Sequence, residues 1–390
     1  MEGLILMRGR NLGRVVAFLL AIGLLAAACG DSGSSSKSGG ATPGKGVTCA
    51  TLPALGYLGP LTGDSANLGI NIHRGVELAL DLWNAANPAC KVTLKDYDSQ
   101  GDPQKAPALA DQAIADKSIL GIVGPAFSGE SKAVDPKFDQ AVLPTITASA
   151  TNPDLSKNGW KIFHRMLATD AKQGPDVAKY IRDTLKAKSV FVIDDQSEYG
   201  KGLADQVRST LGALATGTDS IDPKASDYSA AVTKVKTANP AVVFYGGYYN
   251  EAGKLVKQLR DGGVKATFVS GDGAADQGFI KAAGPASKDA IISCPCNING
   301  NDAFLKAYKA KFNDDPRTYG AEAYDATNTF FAAFAAGKLD RASINTFLST
   351  YDAEGASRRI KWDANGEVAE YPTFIFKSDA KTLIKVGEVA

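Results

Sequence analysis

The chain has 390 residues, more than one ordinary hydrophobic core accommodates, so its length predicts two domains. Its 43 basic and 42 acidic residues give a net charge of +1, and 44% of the residues are hydrophobic. A balanced charge without like-charge blocks argues against a nucleic-acid partner, and the apolar content is typical of a soluble globular protein.

The N-terminus has the pattern of an export signal. A basic stretch, MRGRNLGR, precedes an uncharged run, VVAFLLAIGLLAAA, that is too short to span a bilayer comfortably. The sequence LLAAAC resembles the bacterial lipobox, in which the cysteine becomes the lipidated first residue. We therefore expect a signal peptide over residues 1–28 and lipidation of Cys29. The alternative is an ordinary signal peptide cut at an A-x-A site in the same region.

Residues 29–47 consist largely of glycine and serine and predict a flexible tether. A lipid anchor followed by a tether suits a domain that works close to a membrane without entering it. No later segment reaches eighteen uncharged apolar residues, so no transmembrane helix is expected.

Four cysteines follow the lipidation site, and an even number in an exported protein predicts disulfides. Two of them each precede a strand-like run, so neighbouring parallel strands would bring them together, and the other two form a C-x-C. The predicted pairs are Cys49–Cys90 and Cys294–Cys296. A metal site is the weaker alternative, because neither of the two histidines has a ligand-spaced companion. No metal and no cofactor are expected.

From residue 50 onward, short apolar runs alternate with helical patterns of ten to fifteen residues. The strand-like runs are TLPALGYLG, KVTLKDY, ILGIVGP and LPTITAS in a first series, and SVFVIDD, AVVFYGG and ATFVSGDG in a second. Such alternation indicates β-α-β units and parallel sheets. Two series of similar length predict an α/β fold with two similar doubly wound parallel-sheet lobes.

After the second series, the pattern changes to three helical stretches and a final β segment. The run RRIKWDANGEVAEYPTFIFKSD predicts a hairpin that turns at Ala364–Gly366. A late block of this kind predicts that the chain crosses between the lobes several times, as a hinge does. The expected boundaries are 48–169 plus 294–360 for lobe 1, and 170–293 plus 361–390 for lobe 2.

The loops after the predicted strands are rich in glycine, hydroxyl groups, tyrosine and acids. In open α/β sheets, ligands bind beyond the carboxyl ends of the strands, where loops lead into helix N-termini. The loops in question are GYLGPLTGDS, GPAFSGES, TASATNPDL, DDQSEYGKG, YGGYYNEAG and SGDGAADQG. A cleft that faces them would be polar at its walls and able to fix charged groups.

These loops, in this order, resemble those of the branched-chain amino-acid-binding family of periplasmic substrate-binding proteins, which have the type I fold. The resemblance covers roughly residues 50–390, and its most specific stretches are GYLGPLTGDSANLG, YDSQGDP, TASATNPDL, QSEYGKGLA and YYNEAGKLVKQLRDGG. It implies a lipoprotein that captures a small amino acid, or a related amide or acid, and delivers it to an ABC permease. A monomer held to the outer face of the bacterial cell membrane only by its lipid is expected.

The resemblance also implies roles for residues on the first lobe. Ser128 would bind the ligand's carboxylate, and the segment Ser149, Ala150 and Thr151 would grip carboxylate and amine. A serine before a helical stretch, followed by free amides, suits an anion. The alternatives are that Ser128 is only a helix cap and that Thr151 only starts a turn.

On the second lobe, the resemblance places Tyr199 and Tyr248 against the ligand and Asp272 against its ammonium group. A carboxylate suits an ammonium because it only accepts hydrogen bonds. The alternatives are a turn aspartate and two surface aromatics. Leu68 and Phe127 match the family's side-chain pocket, or else they serve only in packing.

The chain departs from the leucine-type members in two places. Those members usually have Glu where this chain has Asp272, and several have an aromatic residue at the position of Leu68. Both positions bear on selectivity, so the ligand need not be leucine, isoleucine or valine. Relatives also bind amides, urea and aromatic acids.

Two alternatives belong to other classes of protein. An enzyme lacks support, since the chain has no G-x-G-x-x-G at a strand-to-helix turn and no G-x-S-x-G elbow. A ligand sensor would use the same lobes for signalling, and no sequence motif separates it from a transport protein. We expect binding by hinge closure, in which a ligand that touches both lobes favours the closed form.

Overall fold

The computed structural model describes residues 44–369 and 371–389. The predicted signal peptide and its lipidation site, Cys29, lie outside these residues. Within the part of the chain that is described, no helix is long and apolar enough to cross a membrane.

A five-stranded parallel sheet and its helices form the first part of the chain. In chain order the elements are β1 (Ala54–Gly59), α1 (Ala66–Ala86), β2 (Thr93–Asp98), α2 (Ala106–Ala115), β3 (Ile119–Val123), α3 (Ser128–Gln140), β4 (Thr145–Thr147) and β5 (Phe163–Arg165). The strand order is β2-β1-β3-β4-β5, and all neighbours are parallel. Strand β3, a continuous apolar run, is buried along its whole length, as expected for a central parallel strand.

A seven-stranded sheet dominates the second part. The chain continues through α4 (Asp170–Lys179), β6 (Val190–Asp194), α5 (Glu198–Leu211), β7 (Ala215–Ser220), α6 (Ser229–Ala238), β8 (Val242–Gly246), α7 (Tyr249–Asp261), β9 (Thr267–Ser270), α8 (Gln277–Ala283) and β10 (Ile291–Cys294). It ends with α9 (Asp302–Phe312), α10 (Gly320–Ala335), α11 (Arg341–Leu348), β11 (Asp352–Glu354), β12 (Arg359–Lys361), β13 (Thr373–Ser378) and β14 (Leu383–Val389).

The order of this sheet is β14-β13-β10-β9-β8-β6-β7. Strands β6 to β10 pair in parallel, whereas β13 pairs antiparallel with both β10 and β14. The mixed α/β architecture with two lobes confirms the predicted fold class.

Helix α10 packs closely against α1, although the two helices are far apart in sequence. A Cβ added at Gly75 would lie 2.2 Å from the carbonyl oxygen of Gly320, so the small residue permits this approach. Further along the same contact, Trp83 and Phe331 stack with ring centroids 4.8 Å apart. The late helices therefore cover the five-stranded sheet, and the chain returns to the first lobe after β10.

The hairpin predicted around Ala364–Gly366 is wrong in its extent. A turn is present, since Trp362 and Val368 form one antiparallel bridge. Its flanking strands belong to different sheets, because β12 pairs with β11 while β13 pairs with β10 and β14. The start of β13 is buried, and the interior of the seven-stranded sheet offers that burial.

The pattern of apolar runs in the sequence does not predict strand β7. Its sequence, ATGTDS, alternates half-buried and exposed residues at the edge of the seven-stranded sheet. An edge strand with one solvated face needs no continuous apolar stretch, so its sequence signal is weak.

Two disulfides lie within the described part of the chain. Cys49–Cys90 joins the segment before β1 to the segment before β2, and Cys294–Cys296 closes a short loop at the end of β10. Near the first of these, Gly46 donates a backbone hydrogen bond to Ala86 at 3.2 Å. The chain is thus bonded to α1 before the predicted end of the tether at residue 47.

Candidate ligand-binding site

A small cavity lies between the two sheets, where the carboxyl ends of strands from both lobes face each other. In this closed form its volume is only about 10 Å³, about that of a single water site. The residues that line it are Phe127, Ser128, Ser149, Tyr199, Tyr248, Asp272, Gly273 and Tyr319. Six of these are predicted ligand-binding residues, brought together from loops that follow β3, β4, β6, β8 and β9.

The acid at the centre of the site is Asp272, which is fully buried. Tyr199 donates a hydrogen bond to one of its oxygens at 2.7 Å, and Tyr319 donates to the other at 2.5 Å. The backbone N–H of Gly273 in turn donates to the Tyr199 hydroxyl at 2.9 Å. Burial raises the pKa of Asp272, and the two tyrosine hydroxyls offset part of that rise.

A second acid, Asp170, lies close enough to interact with Asp272. It is the first residue of α4 and is fully buried, and its backbone N–H donates to the carbonyl oxygen of Thr151 at 2.9 Å. Burial, and then the negative charge of Asp272, raise the pKa of Asp170 well above its usual range. The positive charge of Arg165 offsets part of the rise at Asp170. Asp272 itself lines the cavity, where a positively charged guest would stabilise its carboxylate.

The opposite wall carries hydroxyl groups at the start of a helix. Ser128 is the first residue of α3, and its hydroxyl accepts a hydrogen bond from the backbone N–H of Asn152 at 3.2 Å. The hydroxyl of Ser149 donates to the carbonyl oxygen of Ala126. The thirteen-residue helix α3 directs its N-terminal amides and the positive end of its dipole towards this wall, which suits an anion.

Aromatic rings complete the enclosure. Tyr248 lies between Phe127, at a centroid distance of 4.6 Å, and Tyr199, at 5.2 Å. The contact between Phe127 and Tyr248 joins the loop before α3 on the first lobe to the loop before α7 on the second. Ring faces and edges thus form the apolar part of the cavity wall.

Three predicted residues do not line the cavity. Leu68 is completely buried on α1 and belongs to the hydrophobic core. The carbonyl oxygen of Ala150 accepts a hydrogen bond from Arg165 at 2.7 Å, so that group is already engaged. Thr151 is fully buried beneath the wall, next to Asp170.

Tyr319 and Asp170 were not predicted from the sequence. Neither follows a strand of the alternating series, so the rule on strand ends does not point to them. Tyr319 precedes α10 with a φ of 69°, a left-handed conformation that is uncommon for a tyrosine. In the sequence, the only hint is an aromatic residue directly before a glycine that starts a helix.

Further contacts tie the lobes together around the cavity. Asn67 and Asn71 of α1 each donate to Asp276 at 3.0 Å, and Asp276 lies at the start of α8. On the other side, Asn152 donates to the carbonyl oxygen of Glu198 at 2.9 Å. The lobes are therefore in contact on two sides of the site, which is a closed arrangement.

Comparisons with known proteins agree with this fold. The sequence model of the periplasmic binding protein family matches residues 54–382. An amino acid binding protein of Pseudomonas aeruginosa is 30% identical over 338 residues, which cover 84% of this chain and 90% of that protein. The Leu/Ile/Val-binding protein BraC3 of Rhizobium johnstonii is 32% identical over 331 residues, which cover 83% of this chain and 86% of the relative.

Among solved structures, the branched-chain amino acid transporter substrate binding protein LivJ of Streptococcus pneumoniae, in complex with isoleucine, superimposes with a TM-score of 0.79. The match covers 86% of this chain and 100% of that one, at 27% sequence identity.

Proposed function

Since this chain belongs to the periplasmic binding protein family, a family of extracytoplasmic solute-binding proteins, we propose that it binds an amino acid around Asp272. The observation that carries the proposal is a fully buried carboxylate held by two tyrosine hydroxyls, with a second buried acid beside it. Among the described residues that line the cavity, none is a lysine, arginine or histidine. A ligand that supplies an ammonium group would compensate these acids.

The other end of an amino acid is a carboxylate, and the wall at α3 suits it. The hydroxyl of Ser128 and the first amides of α3 would hold the carboxylate. Ser149, whose hydroxyl donates to Ala126, and Thr151 would support this wall. The two charges of a zwitterion would then each meet a matching group on a different side of the cavity. The same two-sided contact is the physical basis for closure, because only the closed form offers both sets of partners.

We propose hinge closure as the mechanism. The chain passes between the sheets after β5, after β10 and after β12, and these segments would bend as the lobes separate. The proposal keeps the predicted lobe boundaries, 48–169 plus 294–360 and 170–293 plus 361–390. An open form would admit the ligand, and the interlobe contacts of Asn67, Asn71 and Asn152 would form on closure.

The proposal includes delivery to an ABC permease by a monomer that is anchored through Cys29. The support is that the Streptococcus relative is a transporter substrate binding protein, together with the lipobox-like LLAAAC. A sensor with the same lobes is not favoured by any of these relatives. The family is one of binding proteins rather than enzymes, and we propose no catalysis.

Thermal unfolding of the mature chain with matched small molecules tests the proposal. Alanine carries both charged groups, whereas propionate lacks the amine and ethylamine lacks the carboxylate. Binding stabilises a protein by RT ln(1 + [L]/Kd), about 2.7 kcal/mol at a hundredfold excess over Kd. We expect stabilisation by one or more amino acids and little by either fragment. Stabilisation by propionate as strong as by alanine would contradict the role of the acids.

A further inference from the structure

Arg165, the last residue of β5, is completely buried, which is unusual for an arginine. Its guanidinium forms a forked ion pair with Glu367, in which Nη2 donates to one carboxylate oxygen at 2.6 Å and Nε donates to the other at 3.0 Å. The remaining nitrogen, Nη1, donates to two backbone carbonyl oxygens, that of Ala150 at 2.7 Å and that of Asn152 at 2.9 Å. A buried guanidinium needs such partners, so these contacts define its position.

One side of this arginine holds the turn at residues 363–367, which lies between β12 and β13. The backbone N–H of Arg165 donates to the carbonyl oxygen of Gly366 at 2.9 Å, and Glu367 belongs to the same turn. A Cβ added at Gly366 would lie 2.0 Å from the carbonyl oxygen of Phe163, so the turn packs directly on β5. The turn is therefore joined to β5 at the point where the chain leaves β12 for the seven-stranded sheet.

The other side of the arginine holds Asn152, which contacts both lobes at the site. The backbone N–H of Asn152 donates to the hydroxyl oxygen of Ser128 at 3.2 Å, and Ser128 lines the cavity. A serine hydroxyl that accepts this bond keeps its own proton for donation to a ligand's carboxylate. The side-chain amide of Asn152 donates to the carbonyl oxygen of Glu198 on the second lobe at 2.9 Å.

A continuous series of contacts thus runs from Glu367 through Arg165 and Asn152 to Ser128. Arg165 does not line the cavity, so it would act on a ligand only through these other residues. Its planar, forked guanidinium engages a carboxylate and two carbonyl oxygens at once. A lysine, with a single nitrogen on a flexible chain, does not reproduce that geometry.

We infer that Arg165 is a positioning residue for ligand binding. It holds Asn152, and through Asn152 it holds the Ser128 hydroxyl in the place from which that hydroxyl would bind the ligand's carboxylate. Glu367 anchors the arginine from the turn, so the wall of the site is tied to a segment that would bend in hinge closure. The inference rests on the proposed function and assigns a further residue to that same site.

Isothermal titration of the mature chain tests the inference, with glycine, alanine, leucine and isoleucine as probes and the tightest of them used for all variants. In Arg165→Lys we expect Kd to rise at least about tenfold, which lies within the range of couplings in one hydrogen-bond network. In a Ser128→Ala background the same substitution should raise Kd less than about threefold, because the group that Arg165 positions is then absent. Glu367→Gln keeps the arginine but removes the charge of its partner, and should raise Kd about threefold or more.

The control and the outcomes separate positioning from stability. Glu354→Gln weakens an exposed ion pair with Arg359 and should leave Kd unchanged. A merely structural arginine would lower the urea midpoint without changing the Kd of the folded protein. That result, or equal factors with and without Ser128→Ala, would overturn the inference while the proposed function stands. If circular dichroism shows that Arg165→Lys does not fold, Glu367→Gln with and without Ser128→Ala decides in the same way. If none of the probes binds, the proposed function fails and this inference with it.

Discussion

Tyr319 donates a 2.5 Å hydrogen bond to Asp272, although the two residues belong to different lobes. Tyr319 precedes α10, which packs on the first lobe, and Asp272 follows β9 of the seven-stranded sheet. In the proposed hinge closure, this bond would form only when the lobes come together. Closure would then change the surroundings of the acid as well as the shape of the cleft.

The hydroxyl of Tyr319 should matter for binding. In Tyr319→Phe, we expect amino-acid affinity to fall about tenfold to a hundredfold, because hydrogen bonds to charged groups contribute roughly 1.5–3 kcal/mol. Isothermal titration measures the change. Tyr97→Phe removes a hydroxyl from β2, outside the site, and serves as the matched control. Equal affinities for the two variants would show that the interlobe bond does not contribute.

The charge of Asp272 should be required for the ammonium group. Asp272→Asn keeps the shape of the side chain but removes the charge, and we expect affinity to fall by at least about thirtyfold, since losing one partner of a buried ion pair costs roughly 2–5 kcal/mol. Asp289→Asn changes an exposed aspartate on the same lobe and should leave affinity unchanged. If Asp272→Asn bound amino acids as tightly as the native protein, Asp272 would not be the partner of the ammonium group.

Glu130 should make stability depend on pH. Burial raises its pKa from 4.5 to about 7, so the folded protein keeps a proton that the unfolded chain has lost. The free energy of unfolding should therefore decrease as pH rises from 4.5 to about 7, by at most roughly 3 kcal/mol from this residue.

Urea unfolding of Glu130→Gln across that pH range measures the effect. The amide cannot ionise, so the variant should lose less stability than the native protein as pH rises. Glu354→Gln, at an exposed position, should follow the native protein. Parallel curves for Glu130→Gln and the native protein would contradict the prediction.

The two disulfides should differ in their effect on stability. Cys49–Cys90 joins residues 41 positions apart, whereas Cys294–Cys296 joins residues two positions apart. If the entropy of loop closure in the unfolded chain decides the effect, replacing the first pair by alanine should cost roughly 4 kcal/mol and replacing the second roughly 1–2 kcal/mol. Chemical denaturation of the two double variants compares them. A larger loss for the second pair would show that loop entropy is not the main source of the stabilisation.

Much of the site follows from local sequence. The loops after β3, β4, β6, β8 and β9 carry polar residues, and parallel strands bring their carboxyl ends to one edge. Ser128 and Tyr248 each stand at the start of a helix, where the sequence pattern places them. The same reasoning fails for Ala150, because no feature of the local sequence predicts that its carbonyl oxygen accepts a hydrogen bond from Arg165.

The two series of β-α units, the family and the loops that build the cavity can all be predicted from the amino-acid sequence. These features depend on the local order of apolar, polar and turn residues. Three contacts emerge only in the folded chain: Tyr319 donates to Asp272, Asp170 lies near Asp272, and Phe127 contacts Tyr248 across the lobes. Such contacts join residues that are far apart in the chain, and they arise from helix packing and lobe closure, which leave no periodic pattern in the sequence.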